Sequence, residues 1–373
     1  MSKLVVSPEI FFFPKIETII DPDFAMDGLL KQKFTILDEL IKKLEFNNYL
    51  SDYFIQEDLF SARYKIVARM ELGSDIKNYL KNRAILIRYC FELVCSKEYE
   101  QEKITLTQLI ILHKNLKRIS ASNLKSEFRK NKGFIGTSNK DIYIETLGPE
   151  HIESYLEKLF DLINNEKIPK ISRIAIFYMG FLTIHPFEDG NGRVARIYAS
   201  LLFYQLGIIS LPVFNLSATL EKHQFNFMTA SHAALLKNDW NIFFQFFYSI
   251  VYECLEQHIR VAKDLLDLET SMTLTFKNNN FSTFVIKKII RALYLAPISS
   301  RSELRRYSGL SLVDFQKCIS VLLSENKVQL ENNNIVFSAL GKIVWNKDWE
   351  AAVAEDNKQE VPSGLIPINF DAN

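Results

Sequence analysis

Apolar residues recur every three and four positions from about Phe24 to Cys95, as in Leu37, Leu40, Ile41 and Leu44 and again in Tyr79, Leu80, Ile85, Ile87 and Leu93. That period predicts amphipathic helices. Gly73-Ser74-Asp75 predicts a stop and a restart, because Gly ends helices and Ser or Asp caps the next one. A further helix is expected from Thr105 to Lys117. Between Ser122 and Thr146 the helical period lapses. There Phe134-Ile135-Gly136 and Ile142-Tyr143-Ile144 flank a polar run, 137–141, and predict a β-hairpin. A lone two-stranded hairpin is barely stable in water, so it is expected to lean on the helical body and to keep its outer edge free to pair. Pro149 and Glu150 open the next helix, striped by Ile152, Tyr155, Leu156 and Leu159 to Leu162. Ile171 to Ile184 is apolar on nearly every side, as a central buried helix should be, and it ends at His185-Pro186.

Asn241 to Val261 reads as another core helix, and the polar stretch Thr273 to Asn280 as a linker. Beyond it, Phe281 to Trp345 gives a helix, a Ser-rich turn, a helix, a turn at Gly309-Leu310-Ser311, a helix from Leu312 to Ser324 and a hairpin from Val328 to Phe337. This is a winged-helix outline. The tail from Ala351 to Asn373 is polar, with Pro362, Gly364 and Pro367, and is expected to be extended. The expected organisation is a helical N-terminal segment over 1–100, a core over 101–272, a winged-helix module over 281–345 and a tail over 346–373.

Composition narrows the function classes. A chain of 373 residues has room for two or three domains at roughly 150 residues each. With 48% apolar and 24% charged residues it has the make-up of a soluble globular protein. Lys and Arg number 45 against 44 acids, so the net charge of +1 supplies no overall field toward nucleic acid or a membrane. The four cysteines, Cys90, Cys95, Cys254 and Cys318, form no Cys-x-x-Cys pair and fit reduced, buried thiols of a cytoplasmic protein. The start of the chain has no secretory pattern. Asn241 to Leu255 is shorter than the roughly 20 residues a membrane span needs, so no membrane is expected.

One run concentrates the chemistry: His185-Pro186-Phe187-Glu188-Asp189-Gly190-Asn191-Gly192-Arg193-Val194-Ala195-Arg196. Gly190-Asn191-Gly192 permits the special dihedrals that aim consecutive N–H groups into one concavity, an anion nest, and a helix beginning near Arg193 adds its positive end. Arg193 and Arg196 share a helical face. Cations so close to a helix start oppose its dipole, a local breach best explained by two guanidinium forks binding a diphosphate or triphosphate. Asp189 suits a Mg²⁺ ion that bridges phosphate oxygens. His185 suits a general base acting on a hydroxyl, and Phe187 an anchor into the core. No Walker loop is present, and no second His or Cys stands at zinc spacing. Phosphoryl or nucleotidyl transfer is the implied chemistry.

The run resembles the signature of Fic-domain proteins, His-x-Phe-x-Asp/Glu-Gly-Asn-Gly-Arg-x-x-Arg, at every specified position. The resemblance extends over about Ile104 to Arg260. It implies a Fic-type helical bundle, and a protein adenylyltransferase that moves AMP from ATP to a Ser, Thr or Tyr hydroxyl of a target protein, with Mg²⁺ required. By position it implies that His185 is the base, with Arg193 also at the reaction centre. Asp189 becomes the metal ligand, Gly190, Asn191 and Gly192 the anion cradle, and Arg193 and Arg196 the phosphate contacts. It makes the hairpin, Phe134 to Gly136 and Ile142 to Ile144 with Tyr143 between, a flap that docks the target as an added strand. Phe227-Met228 falls where many members carry two tyrosines beside the adenine. Many Fic proteins with N-terminal helices carry an inhibitory Ser/Thr-x-x-x-Glu-Gly/Asn segment. Here Ser61 leads to Lys65 in place of the Glu, so either glutamate autoinhibition is absent or Lys65 is simply solvated.

The C-terminal module supports a competing expectation, a DNA-binding transcriptional regulator in which the Fic site only binds nucleotide. Between Phe281 and Trp345 there are nine Lys or Arg against four acids, a local excess of +5. Yet the helix Leu312 to Ser324 offers only Gln316 and Lys317 for reading bases, and protein docking is the other use of such a module. Target identity and oligomeric state, a homodimer included, stay open.

Overall fold

A computed structural model describes residues 4–5, 13–14, 24–44, 105–119, 128–132, 134–135, 144–210, 214, 216–295, 298–331, 334–337, 339–340 and 343. The expected helices between 45 and 104, the Ser61 to Lys65 segment and the tail from 346 lie outside these residues. The described chain is mostly helical, as its apolar periods predict. It divides into two units. One comprises Met1–Phe34, Phe54–Leu255 and Glu355–Asn373, and the other Thr35–Tyr53 and Glu256–Ala354.

The first unit is built around three helices: α3 (Ile152–Ile163), α4 (Lys170–Ile184) and α5 (Asn191–Gln205). Every residue of α4 from Ile171 to Ile184 is buried, so this helix is the core rather than a face of it. It packs against both α3 and α5. Gly180 permits the approach of α3, since a Cβ there would lie 2.9 Å from Leu159 Cδ1 and 3.2 Å from the Phe13 ring. Such a glycine costs about 1 kcal/mol of helix propensity, and the close packing offsets it. On the other side Tyr198 of α5 meets Phe177 of α4, ring centroids 4.8 Å apart.

Two further helices close this unit's core. In α1 (Phe24–Lys43), Phe34 meets Phe203 and Phe214 at 5.6 and 4.9 Å. Helix α2 (Leu106–Ile119) begins with a capping box: the Thr105 hydroxyl accepts from the Gln108 N–H, and the Gln108 side chain accepts from the Thr105 N–H. The short α6 (Ser217–Lys222) leads into α7 (Gln224–Lys237) and then α8 (Trp240–Asn278). Phe243, Phe244 and Phe247 of α8 are fully buried.

The small sheet departs from expectation in one respect. Strands β2 (Phe134–Ile135) and β3 (Ile144–Glu145) pair antiparallel, but β1 (Leu4–Val5) lies parallel on the far side of β3, giving the order β1-β3-β2. The outer edge of β3 is therefore not free, and β1 and β2 are the two edge strands of this sheet. Gly136, Ile142 and Tyr143 lie outside the described residues.

The second unit corrects two local expectations. The supposed linker at 273–278 is the last part of α8, a 39-residue helix, and Met272 and Phe276, four apart, are fully buried there. The polarity of their neighbours disguised a one-sided stripe. The Ser-rich turn is strand β4 (Ile298–Ser300), which pairs with β6 (Asn334–Val336), itself paired with β5 (Gln329–Glu331). Three helices accompany this antiparallel sheet: α9 (Thr283–Leu295), α10 (Arg301–Ser308) and α11 (Leu312–Ser324). Cys254 and Cys318 are buried, and burial pushes the Cys318 thiol up to about 12. No described helix is long and apolar enough to cross a membrane.

Candidate active site

Helix α4 ends on His185, whose φ of 50° and ψ of 58° are left-handed. A non-Gly residue pays roughly 1–2 kcal/mol for that conformation, and such strain persists only where the surroundings fix it. Here the His185 N–H donates to the Phe181 carbonyl at 3.0 Å, as a left-handed helix cap does. The imidazole Nδ1 lies 3.3 Å from the Leu182 carbonyl. A carbonyl only accepts, so Nδ1 carries the proton and Nε2 presents a lone pair. Burial holds the His185 pKa down at about 4. The neighbouring Arg129 cation adds to that, while the Leu182 hydrogen bond and the Asp189 charge work against it. The ring is neutral at pH 7, as a proton acceptor must be.

The loop beyond is braced from within and from outside. The Asn191 side chain accepts from the Phe187 N–H at 3.0 Å and donates to its carbonyl at 2.8 Å. Its amide is thus committed to the loop, and what Asn191 can offer an anion is its backbone N–H. Phe187 is fully buried, as its reading as an anchor requires. It stacks on His113 of α2 with centroids 3.5 Å apart and planes within 3°. His113 Nε2 also donates to the Asp189 carbonyl at 3.1 Å. Sequence reasoning passed over His113. Its signal was a polar residue on the buried stripe of α2, next to Leu109 and Leu112.

Helix α5 starts at Asn191, two residues earlier than expected, with Gly190 as its N-cap at φ 87°. A positive φ makes Gly the fitting residue there. The first N–H groups of α5 have no intrahelical acceptor, and with the helix dipole they are suited to receive an anion. Arg193 stands in the first turn. Arg196, half-exposed, begins the second, beyond the strongest reach of the dipole, and its carbonyl accepts from Ser200. Asp189 is half-exposed just before the cap. The described residues hold no group of three His, Cys, Asp or Glu that could cage a metal. A single carboxylate beside a phosphate site does fit Mg²⁺, which takes one or two carboxylates and fills its shell with phosphate and water.

The other expected site residues are placed differently. Phe227 and Met228 are each 6% exposed, and the Phe227 ring packs against Tyr178, Phe243 and Phe246. Phe227 is a core residue between helices. The described part of the hairpin, Phe134–Ile135 with Ile144–Glu145, leads through Thr146 and Leu147 to Arg129, whose guanidinium bonds both the Leu147 and the His185 carbonyls. The hairpin root and the His185 turn are therefore neighbours. Lys65 and Ser61 lie outside the described residues.

Residues 103–203 match the Fic/DOC family, so this segment of the chain resembles a Fic domain. Over 119 residues the chain is 26% identical to protein adenylyltransferase fic-1 of Caenorhabditis elegans, covering 31% of this chain and 22% of that one. A protein of Aquifex aeolicus, named a probable protein adenylyltransferase, is 23% identical over 235 residues, 60% of this chain and 58% of its own. The chain thus spans less than two thirds of these relatives. A crystal structure of a Fic family protein from Desulfovibrio desulfuricans superposes with a TM-score of 0.50 at 16% identity, covering 87% of this chain and 95% of that one. The fold is shared.

Proposed function

We propose that the protein is an adenylyltransferase that moves AMP from ATP to a Ser, Thr or Tyr hydroxyl of a target protein. The observation that carries this is the neutral His185 imidazole, held by its Leu182 contact with Nε2 as the acceptor, five residues before Gly190, the N-cap residue of α5. In the reaction the acceptor hydroxyl attacks the α-phosphorus, its proton passes to His185 Nε2, and the bond to the leaving pyrophosphate breaks. The N–H groups at the start of α5 stabilise the added charge on the phosphate oxygens, with Arg193 and Arg196 as further phosphate contacts. Asp189 would hold Mg²⁺, which when bound neutralises phosphate charge. The names of the curated relatives point the same way.

On this reading the β2 edge docks the target by strand addition, and the C-terminal unit is a winged-helix-type module used for protein docking. On α11 the exposed side chains Leu312 and Val313 and the capping Asp314 suit a protein surface better than a phosphate backbone. The protein should transfer label from ATP to itself or to a protein in a host lysate in the presence of Mg²⁺. His185→Ala should lose at least about 10²-fold in rate, the lower range for a general base. Undiminished transfer by that variant contradicts the assignment.

A further inference from the structure

Arg129 stands outside the 185–196 loop, before the hairpin, and is 4% exposed. Its Nε donates to the His185 carbonyl at 2.8 Å, and its Nη2 to the Ile184 carbonyl at 3.2 Å and to the Leu147 carbonyl. Its Nη1 donates to the Asn131 carbonyl at 2.8 Å, and its backbone N–H to the Pro186 carbonyl at 2.9 Å. Three consecutive carbonyls of the turn, those of Ile184, His185 and Pro186, thus end on one residue. The remaining two acceptors belong to the hairpin root: Asn131 precedes β2 by three residues and Leu147 follows β3 by two.

Each acceptor in this set is a backbone carbonyl. Burial is costly for such a cation and pulls the Arg129 pKa down to about 10 despite the nearby Glu150 charge. Packing alone would be met more easily by an apolar side chain. The set of acceptors instead shows what is gained: the C-terminal carbonyls of α4 are satisfied at the point where His185 turns left-handed. A planar fork with five donors reaches four carbonyls at once, and a lysine ammonium does not have that geometry.

We propose that Arg129 is a positioning residue that fixes the left-handed backbone of His185, and thereby the imidazole tautomer, and ties that turn to the root of the target-docking hairpin. The base and an incoming hydroxyl then keep one separation. The role in transfer rests on the adenylyltransferase reading, but the hold on His185 does not.

The test separates the two. In the wild-type full-length protein, NMR should show a slowly exchanging Arg129 Nε–H with a coupling across its hydrogen bond to the His185 carbonyl, and His185 as the Nδ1–H tautomer. Arg129→Lys keeps the charge and loses the fork. It should bind ATP with an affinity within about threefold of wild type, show a mixed His185 tautomer, and lower kcat by about 10²-fold with KM for ATP unchanged, the loss typical of a misplaced catalytic group. A rapidly exchanging Nε–H in the wild type overturns the proposal without any variant. So does Arg129→Lys with wild-type tautomer and kcat, or with ATP affinity and kcat lost together. If no preparation transfers adenylate but the tautomer responds as described, the adenylyltransferase reading fails and the positioning role stands.

Discussion

The His185 turn and the C-terminal helices α10 and α11 solve the same problem, ending one helix and starting another, in opposite ways. In the C-terminal unit the capping bonds are local, and one distant bond, from Lys288 Nζ to the Gly309 carbonyl at 3.1 Å, is added to them. Ser300 and Ser311 cap their helices by accepting from Glu303 and Asp314 N–H groups, and Gly309 takes the left-handed position between them at φ 57°. In the Fic domain the left-handed position belongs to a histidine. The following helix start has no side-chain cap bond, and cations stand near its positive end. The loop is held instead by residues distant in sequence, Arg129 and His113, and by Asn191 folded back on Phe187. Where every local rule is obeyed the structure serves stability. Where several are broken together and repaired from afar, the break marks the site.

The sharpest way to break this contrast is Asn191→Ala. It removes two hydrogen bonds and leaves a buried backbone N–H and carbonyl unsatisfied, at about 2–4 kcal/mol. Denaturant unfolding should show that loss, and transfer from ATP should fall with it. The pH dependence of stability is next. Because the folded His185 pKa is about 4 against an ordinary 6.5, the unfolded chain binds a proton in that window that the native chain does not. Stability should therefore fall as pH drops from 6.5 to 4, by at most about 3 kcal/mol, and urea titrations of His185→Ala should lack this component. The smallest effect is expected from Ser311→Ala, about 1 kcal/mol for a lost cap, with transfer activity unchanged. Equal losses of activity in Asn191→Ala and Ser311→Ala would erase the distinction between the two regions.

The contrast also explains what was legible in the sequence. The helices of both units follow from apolar periodicity, and the His185 to Arg196 run stood out because its residue types only make sense together. What escaped was non-local. A two-residue strand such as Leu4–Val5 has no period of its own, and its pairing with Ile144–Glu145 is set by a contact some 140 residues away. Arg129 is a lone cation in a segment without a pattern, and its role appears only when the carbonyls of 131, 147 and 184–186 converge. At 273–278 the error was the reverse, because polar neighbours hid the buried Met272 and Phe276. The packing of the Phe227 ring against Tyr178, Phe243 and Phe246 is likewise non-local and has no pattern in the sequence.

On the proposed function, a neutral His185 directs a hydroxyl at the α-phosphorus of ATP. Parallel incubations with ATP labelled on the α- or on the γ-phosphorus test it most directly, each with wild-type protein and His185→Ala. Protein-bound label is expected from the α-position alone, with released pyrophosphate in equal amount, and neither is expected with the variant. Label carried from the γ-position, or α-label that survives loss of the imidazole, would contradict it.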